Sequence, residues 1–485
     1  MCCLIGYHIF KMGVAVMEKK IKLAYCPTRR DVFSREEAIK FNCLIRKELE
    51  KFPVEVIDLA GINEEQLLYQ DCDIEKVIDR FLTEKVDAVF FPHCNFGSEN
   101  RVAQVARALN VPVLLWGPRD DAPNEEGFRS RDSQCGLFAT GKVLRRHNVP
   151  FTYLTNSWLA GDAWKVGMEK FLRTVNVVKS VRNLKILQIS TRPEAFCSVI
   201  CNENELLEKF NVHLYPVTLN DLVLKMNSVK EENGDDFKKT LEFVCSLSHG
   251  CNPEKAAEVA ALKVAMKELA LQYNCRAVAI QCWTSLQDVA GIMPCFANSM
   301  LTDEGIPTVC ETDIHGAITA IMMQAANMGE STPFFADVTV RHPENDNGEL
   351  LWHCGNFPYS LAKDKENCSV GCSRYHGDTF GIGEWELQPG ELTIARFDGD
   401  HGKYQLLIGE AKTTTGPKNL GCYVWIEVDN WAKWEHKLVE GPYIHHVCGI
   451  YGKYGEVLLE ACKYINALEA DPVSPNADEL NARWY

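Results

Sequence analysis

DAVFFPHCNFGSENRVAQVARALNVPVLLWGPRD (87–120) carries the pattern on which the fold reading turns. An apolar run over 87–97 ends in a polar loop, a helical segment follows over 99–110, and a second apolar run over 111–120 ends in Gly-Pro-Arg-Asp. Short β-rich runs bounded by Gly, Pro and Asn and separated by helices predict parallel strands in a doubly wound sheet. The unit repeats outward. IKLAYC (21–26) leads into the helix EEAIKFNCLIRKELEKF, and VEVIDLA (54–60) into IEKVIDRFLTE. A second α/β series begins at LKILQIS (184–190) and runs through VHLYPVTL, a helix over 253–274, RAVAIQCW (276–283), IPTVCETD (306–313) and the helix GAITAIMMQAANMG. After about residue 335 the helices stop. ADVTV, GELLWHCGNF, GELTIARFDGD, KYQLLIGEAKT and CYVWIEV are separated by Gly, Pro, Asn and Asp turns without intervening helices, which predicts an antiparallel barrel. One helix over 454–468 closes the chain. The expected architecture is α/β: two Rossmann- or flavodoxin-like parallel-sheet domains, then an antiparallel β-barrel with a C-terminal helix. The expected divisions are an extension at 1–16, an N-terminal domain at 17–172, a central domain at 173–336 and the barrel at 337–485.

Composition narrows the class of function. Across 485 residues, 51 Lys and Arg stand against 66 Asp and Glu, a formal net charge of −15. Neutralising nucleic-acid phosphates needs clustered basic residues, so sequence-independent nucleic-acid binding is excluded. Hydrophobic residues at 46% and charged residues at 24% are globular values, which excludes wholesale disorder. The 21 Cys are scattered, often inside apolar runs, and no CxxC occurs, so neither a disulfide framework nor a zinc ribbon is expected. A reducing cytoplasm is the simplest account. MCCLIGYHIF is apolar but lacks a basic leader and is interrupted by Lys11, and no stretch approaches 18 uninterrupted apolar residues, so no membrane span is expected.

Ligands of open parallel sheets bind beyond the carboxyl ends of the strands. Those ends read Pro27-Thr28-Arg29-Arg30-Asp31, His93-Cys94-Asn95-Phe96-Gly97, Trp116-Gly117-Pro118-Arg119-Asp120, Ser190-Thr191-Arg192, Gln281-Cys282-Trp283-Thr284 and Cys310-Glu311-Thr312-Asp313. Amides, hydroxyls, guanidiniums and carboxylates at such positions suit a sugar. No Gly-rich phosphate loop follows a strand. Three positions stand out: Glu311, Asp337 in PFFADVTV, and the His445-His446 pair in GPYIHHVCGIYG. Two carboxylates and an imidazole form an oxygen-rich set for Mn²⁺ or Mg²⁺, and the absence of Cys at these spots argues against zinc. The plainer readings are that Glu311 is a helix N-terminal carboxylate, Asp337 a turn residue and the His pair an ordinary loop.

At these residues the chain resembles the L-fucose isomerase and L-arabinose isomerase superfamily, from about Ile21 to Leu468. The resemblance rests on ETDIHGAITAIMMQAANMGESTPFFAD, with its E-x-D and F-A-D, on HHVCGIYG, on PGELTIARF (389–397) and on Arg29-Arg30 after the first strand. Where L-fucose isomerases carry a Lys-Cys-Gln-Pro-like stretch, this chain has Gln281-Cys282-Trp283-Thr284. The resemblance implies a divalent metal, Mn²⁺ with Mg²⁺ or Co²⁺ as alternatives, held by Glu311, Asp337 and His446. It implies aldose–ketose isomerisation of an open-chain sugar through a cis-enediol, with Glu311 and Asp337 catalytic. Arg29, Arg30, Asn95, Trp116, Gln281, Trp283, His353 and His445 are the expected sugar contacts. His353 reads either as a further metal ligand, as in L-arabinose isomerases, or as a core strand residue, and His315 as a residue supporting the ligands.

The family also implies a homo-oligomer, trimer or hexamer, with active sites completed by a neighbour. Arg29, Arg30, Arg119 and Arg192 are more guanidinium than a neutral sugar needs, so an anionic aldose such as sulfoquinovose joins L-fucose, L-arabinose and D-arabinose as a candidate. The alternative is that Asp31 and Asp120 neutralise their Arg neighbours. Two other functions fit parts of the pattern: a periplasmic-type sugar-binding protein, and a metal-dependent sugar aldolase or epimerase.

Overall fold

The structure is a computed structural model that describes residues 20–248, 252–282, 284–375 and 377–474. The expected extension at 1–16 lies outside them. The chain forms two compact units that divide between Lys179 and Ser180.

In the first unit, β1 (Ile21–Tyr25), β2 (Val54–Ile57), β3 (Ala88–Pro92), β4 (Val113–Trp116) and β5 (Thr152–Tyr153) form a sheet in the order β2-β1-β3-β4-β5. All its pairings are parallel. Helices α1 (Arg35–Leu49), α2 (Ile74–Glu84), α3 (Glu99–Leu109) and α4 (Ser133–Arg146) make the four crossovers, and α5 (Asp162–Val181) follows β5. Local chemistry sets their ends. Ser34 caps α1 by accepting from the Glu37 N–H, with Glu36 and Glu37 in the first turn and Arg46 and Lys47 in the last. Left-handed Lys85 and Asn110 stop α2 and α3. Strand β3 is buried along its whole length, as a central parallel strand must be. Phe90 packs there with Trp116 and Trp164, whose ring centroids are 4.4 Å apart.

The second unit opens with a parallel sheet of order β7-β6-β8-β9, made of β6 (Lys185–Ile189), β7 (His213–Val217), β8 (Ala277–Ile280) and β9 (Thr308–Val309). Its helices are α6 (Glu203–Phe210), α7 (Leu219–Glu232), α8 (Asp235–Leu247), α9 (Pro253–Gln272), α10 (Ser285–Ala290), α11 (Cys295–Asp303) and α12 (Ile314–Ala326). A largely antiparallel sheet follows: β10 (Phe334–Arg341), β11 (Gly348–His353), β12 (Ser369–Ser373), β13 (Thr379–Glu386), β14 (Glu391–Asp400), β15 (Lys403–Thr414), β16 (Cys422–Glu427), β17 (His446–Tyr451) and β18 (Leu468–Pro472). Bonding closes a ring, β16-β11-β10-β17-β14-β15 and back to β16. The barrel reading thus holds, with two departures. A helix, α13 (Trp431–Glu440), interrupts the strands, and the closing helix α14 (Gly455–Cys462) is shorter than expected and is followed by Leu468–Pro472, which pairs parallel with β15. A strand-period pattern of five residues leaves no signal of its own; pairing with β15 creates it. One apolar core runs continuously from Leu187 in the parallel sheet to Val473 beyond the barrel. Helix α12 is buried on every side except at Gln324, so it is a core helix rather than an amphipathic one. Among the described residues, no helix is long and apolar enough to cross a membrane.

His93, just past β3, is fully buried; its Nδ1–H donates to the Phe96 carbonyl at 2.7 Å and its Nε2 has no partner. Burial depresses its pKa to about 4. The unfolded ring titrates near 6.5, so between pH 4 and 6.5 the unfolded chain binds the extra proton. Stability is therefore complete above pH 6.5 and is lost as pH falls to 4, by about 3 kcal/mol at 1.36 kcal/mol per pKa unit. Urea midpoints of the native protein should drop more steeply from pH 6.5 to 4.5 than those of His93→Gln; parallel curves would refute the assignment.

Candidate metal and sugar site

Strand register builds one wall of the site. Asp337 on β10 lies directly opposite His446 on β17, and directly opposite Trp352 on β11. Cross-strand partners in such a sheet hold their Cβ atoms about 5 Å apart on one face, so the carboxylate and the imidazole are paired by pleat alone. His353 follows Trp352 at the end of β11. Glu311 arrives from the other direction, on the turn that leaves β9. Both Glu311 and Thr312 are left-handed at φ +55°, a conformation non-glycine residues seldom adopt and one that marks functional turns. The helix that follows is capped by Asp313, whose Oδ1 accepts the Gly316 N–H at 2.9 Å. Glu311 is therefore not the cap. Gly316 is required where it stands, because a Cβ would lie 2.6 Å from the Phe335 ring and 2.8 Å from Asp313 Oδ2.

His446 Nε2 lies 3.8 Å from Glu311 Oε2 and 3.4 Å from Asp337 Oδ1. Those two carboxylate oxygens are buried with no hydrogen-bond partner. Burial raises the Glu311 pKa, as expected for an anion deprived of water. On its other side, His446 donates Nδ1–H to Asp313 Oδ2 at 2.8 Å, which leaves the Nε2 lone pair aimed at the carboxylates. Burial pulls the His446 pKa down, but the Asp313 bond and the Asp337 charge more than offset it. Asp313 is itself clamped by both terminal nitrogens of Arg396, which also donates Nε–H to Asp398 Oδ2 at 2.8 Å. Burial works against the Asp313 charge, yet Arg396 and His446 hold its carboxyl well below the usual range. Asp398 completes the chain by accepting from His315 Nδ1 at 2.8 Å. His353 is oriented the opposite way. Its Nδ1 accepts the Cys354 N–H at 2.9 Å, so the neutral ring carries its proton on Nε2, 3.8 Å from Glu311 Oε2. It faces the site as a donor.

These groups open into a cleft of about 480 Å³ whose remaining wall includes Phe196, Thr339, Trp352, Tyr375, Asn419 and His445. His445 is exposed there, and one ligand atom from each of Asp337, His445 and His446 lies within 4.8 Å of the others. Burial, then the neighbouring His446, lowers the His445 pKa. Gln281 does not line this cleft and accepts from the Ser190 hydroxyl at 2.7 Å. Trp283 lies outside the described residues. The remaining expected contacts sit in the first unit. Arg29 is buried, paired with Glu65 and Asp31 and stacked on Tyr69. Arg30 pairs with Glu99 at 2.7 Å and covers the Phe96 ring. Asn95 ties its loop to the one after β1 by bonding both the N–H and the carbonyl of Arg30, and Trp116 is fully buried in the core of its unit. Asp120 neutralises no Arg119; its carboxylate accepts the Ser133 and Gln134 N–H groups at the start of α4. Arg119 stacks on Trp158 instead.

The donor set fits a divalent cation. Two unpartnered, buried carboxylate oxygens facing one oriented imidazole nitrogen would be unfavourable without a positive charge among them. A model of the fucose/sulfoquinovose isomerase N-terminal domain matches residues 24–182, and one of the L-fucose isomerase C-terminal domain matches 351–469. The chain belongs to the fucose/sulfoquinovose isomerase family. It is thus an isomerase of sugars. A protein named sulfoquinovose isomerase from Priestia aryabhattai is 26% identical over 409 residues, covering 83% of this chain and 89% of that one. Another of the same name from Alkalicoccus urumqiensis is 29% identical over 343 residues, covering 69% and 75%. A solved periplasmic solute-binding protein of an ABC transporter from Actinobacillus succinogenes, with bound D-allose, covers 64% of this chain and 93% of its own, but at a TM-score of 0.17 and 11% identity it carries no argument.

The roles of several residues of this isomerase left little trace in the sequence pattern. Asp313 and Arg396 lie inside the E-x-D and PGELTIARF segments without any sign that they meet, and the one signal for Asp398 was its i, i+2 spacing from Arg396, in and just after the otherwise apolar stretch TIARF. Cysteine does reach the site, contrary to expectation, because the Cys282 thiol donates to Glu311 Oε1 at 3.3 Å from 29 positions away.

Asp313→Asn keeps a competent helix cap but replaces an anion that serves both Arg396 and His446. Mn²⁺ affinity, followed by the electron paramagnetic resonance of the free ion, should fall about 10- to 100-fold, the usual cost of losing a partner that orients a metal-ligating His. Unchanged affinity would mean that Asp313 only caps α12.

Proposed function

We propose that this isomerase interconverts an open-chain aldose and its ketose through a cis-enediol, with Glu311, Asp337 and His446 holding Mn²⁺ (Mg²⁺ or Co²⁺ as substitutes) and sulfoquinovose as the preferred aldose. The observation that carries the reading is the convergence of unpartnered Glu311 Oε2 and Asp337 Oδ1 on an imidazole whose other nitrogen is fixed. A divalent cation held there supplies Lewis-acid polarisation of the sugar carbonyl and stabilises the charge that develops on its oxygen. Glu311 takes the proton from C2 and returns it to C1. Asp337, at the mouth of the same cleft, moves the hydroxyl proton between O1 and O2. His353 donates to a sugar hydroxyl or to Glu311, and exposed His445 contacts the sugar from the rim. Phe196, Trp352 and Tyr375 give the sugar carbons an apolar wall and exclude water.

Sulfoquinovose is favoured by the names of the relatives. Among the described residues lining the cleft there is no Lys or Arg, so sulfonate oxygens are met by neutral donors such as Asn419 and Tyr375 or by groups beyond this lining. An oligomer, trimer or hexamer, with the neighbour completing the site remains part of the proposal.

The test is a panel of sulfoquinovose, L-fucose, L-arabinose and D-arabinose with metal-stripped and Mn²⁺-loaded protein in D₂O, read by NMR. Ketose should form only with metal, fastest from sulfoquinovose, and any deuterium it carries at C1 reports exchange of the shuttled proton with solvent. Full activity after chelation would overturn the metal, and an epimer or cleavage product the isomerisation. Glu311→Gln should cost at least two to three decades in kcat while near-ultraviolet circular dichroism stays native, since it removes a charged ligand and the base together.

A further inference from the structure

Behind Glu311 lies a second cluster that the isomerase chemistry does not use. Cys282 follows β8 by two residues, Cys295 opens α11, Cys310 follows Val309 of β9, and Cys354 follows His353 of β11. All four are buried thiols. One ligand atom from each of Cys282, Cys310 and Glu311 lies within 4.8 Å of the others. A tetrahedral zinc with bonds of about 2.3 Å to sulfur spaces its ligands about 3.8 Å apart, so this spacing needs little movement. Cys310 sulfur is the centre: the amide N–H groups of Asn298 and Asn356 point to it at 3.3 and 3.7 Å, and Cys282 beside it donates to Glu311 Oε1. Asn298 and Asn356, both almost wholly enclosed, thus turn N–H donors toward the sulfur and would stabilise a thiolate there.

We infer that Cys282, Cys310 and Glu311 form a site for a thiophilic divalent cation, Zn²⁺ or Cd²⁺, that abuts the oxygen-rich site and shares Glu311 with it. Thiolates select soft cations, whereas two carboxylates and an imidazole suit a hard one. Binding transfers the Cys282 and Cys310 thiol protons to solvent, and the two thiolates with the carboxylate leave the assembly at −1 around the cation. The ion enters by the cleft, which Glu311 and Cys354 both line. Glu311 Oε1 already accepts from Cys282 while Oε2 faces His446, so one carboxylate serves both sites.

The experiment titrates metal-free protein with Cd²⁺ and follows the ultraviolet thiolate-to-cadmium charge-transfer absorption. One equivalent should saturate the band in the native protein and in Cys43→Ser, which removes an exposed thiol elsewhere, while Cys282→Ser and Cys310→Ser bind at least tenfold more weakly. The ¹¹³Cd NMR spectrum of the native protein tests the site without any variant: a resonance in the thiolate region supports it. No band at one equivalent, a band undiminished in both variants, or a resonance with only oxygen and nitrogen ligands would overturn it.

Discussion

The buried ion pair between Asp313 and Arg396 is the interaction on which the site depends. Each side chain is about 1% exposed, and between them they tie three elements: Asp313 starts α12, Arg396 comes from β14, and Asp313 also holds His446 of β17. Replacing a buried ion pair with apolar residues is often neutral or stabilising, so stability alone does not account for it. What the pair supplies is direction. An anion fixed by a bidentate guanidinium accepts one imidazole N–H at one position, and the opposite nitrogen then has a defined tautomer and aim. Asp398 and His315 extend the same clamp, holding Arg396 from its other side.

Around that pair, backbone geometry does the rest. Antiparallel register sets Asp337 against His446, and two consecutive left-handed residues swing Glu311 toward them instead of letting it enter the helix. Strained turns persist only where their surroundings over-determine them. Here the surroundings are a wholly buried α12, a glycine at 316 that lets Phe335 and Asp313 close in, and thiols packed behind the turn. A hard-ligand pocket backed directly by sulfur is an uncommon juxtaposition, and Glu311 belongs to both environments.

The guanidiniums past the N-terminal strand ends bear on substrate charge. Arg29 and Arg30 are already neutralised by Glu65, Asp31 and Glu99 and shielded by Tyr69 and Phe96, so their charge is spent on the architecture of their own unit. Two Arg in sequence are therefore a weaker indication of an anionic ligand than the count implied, because two of the three acids that pair with them, Glu65 and Glu99, come from 36 and 69 positions away.

The sequence by itself determined the class of fold and pointed to the three candidate donors. Strand–helix alternation marked the parallel sheets, turn-separated strands after about 335 marked the barrel, and the E-x-D, F-A-D and His-His segments marked Glu311, Asp337 and His446, because periodicity and short motifs are local properties. Only the tertiary structure decided which way those donors face and what surrounds them. The Asp337–His446 pairing spans 109 positions, the Asp313–Arg396 clamp 83 and the Cys282–Glu311 contact 29. The tautomers of His446 and His353 follow from a carboxylate and a backbone N–H that no local pattern connects to the site. The strand at 468–472 is likewise a product of its neighbour. Side-chain orientation, protonation and burial are set by contacts between distant segments, and such contacts exist only once the chain has closed on itself.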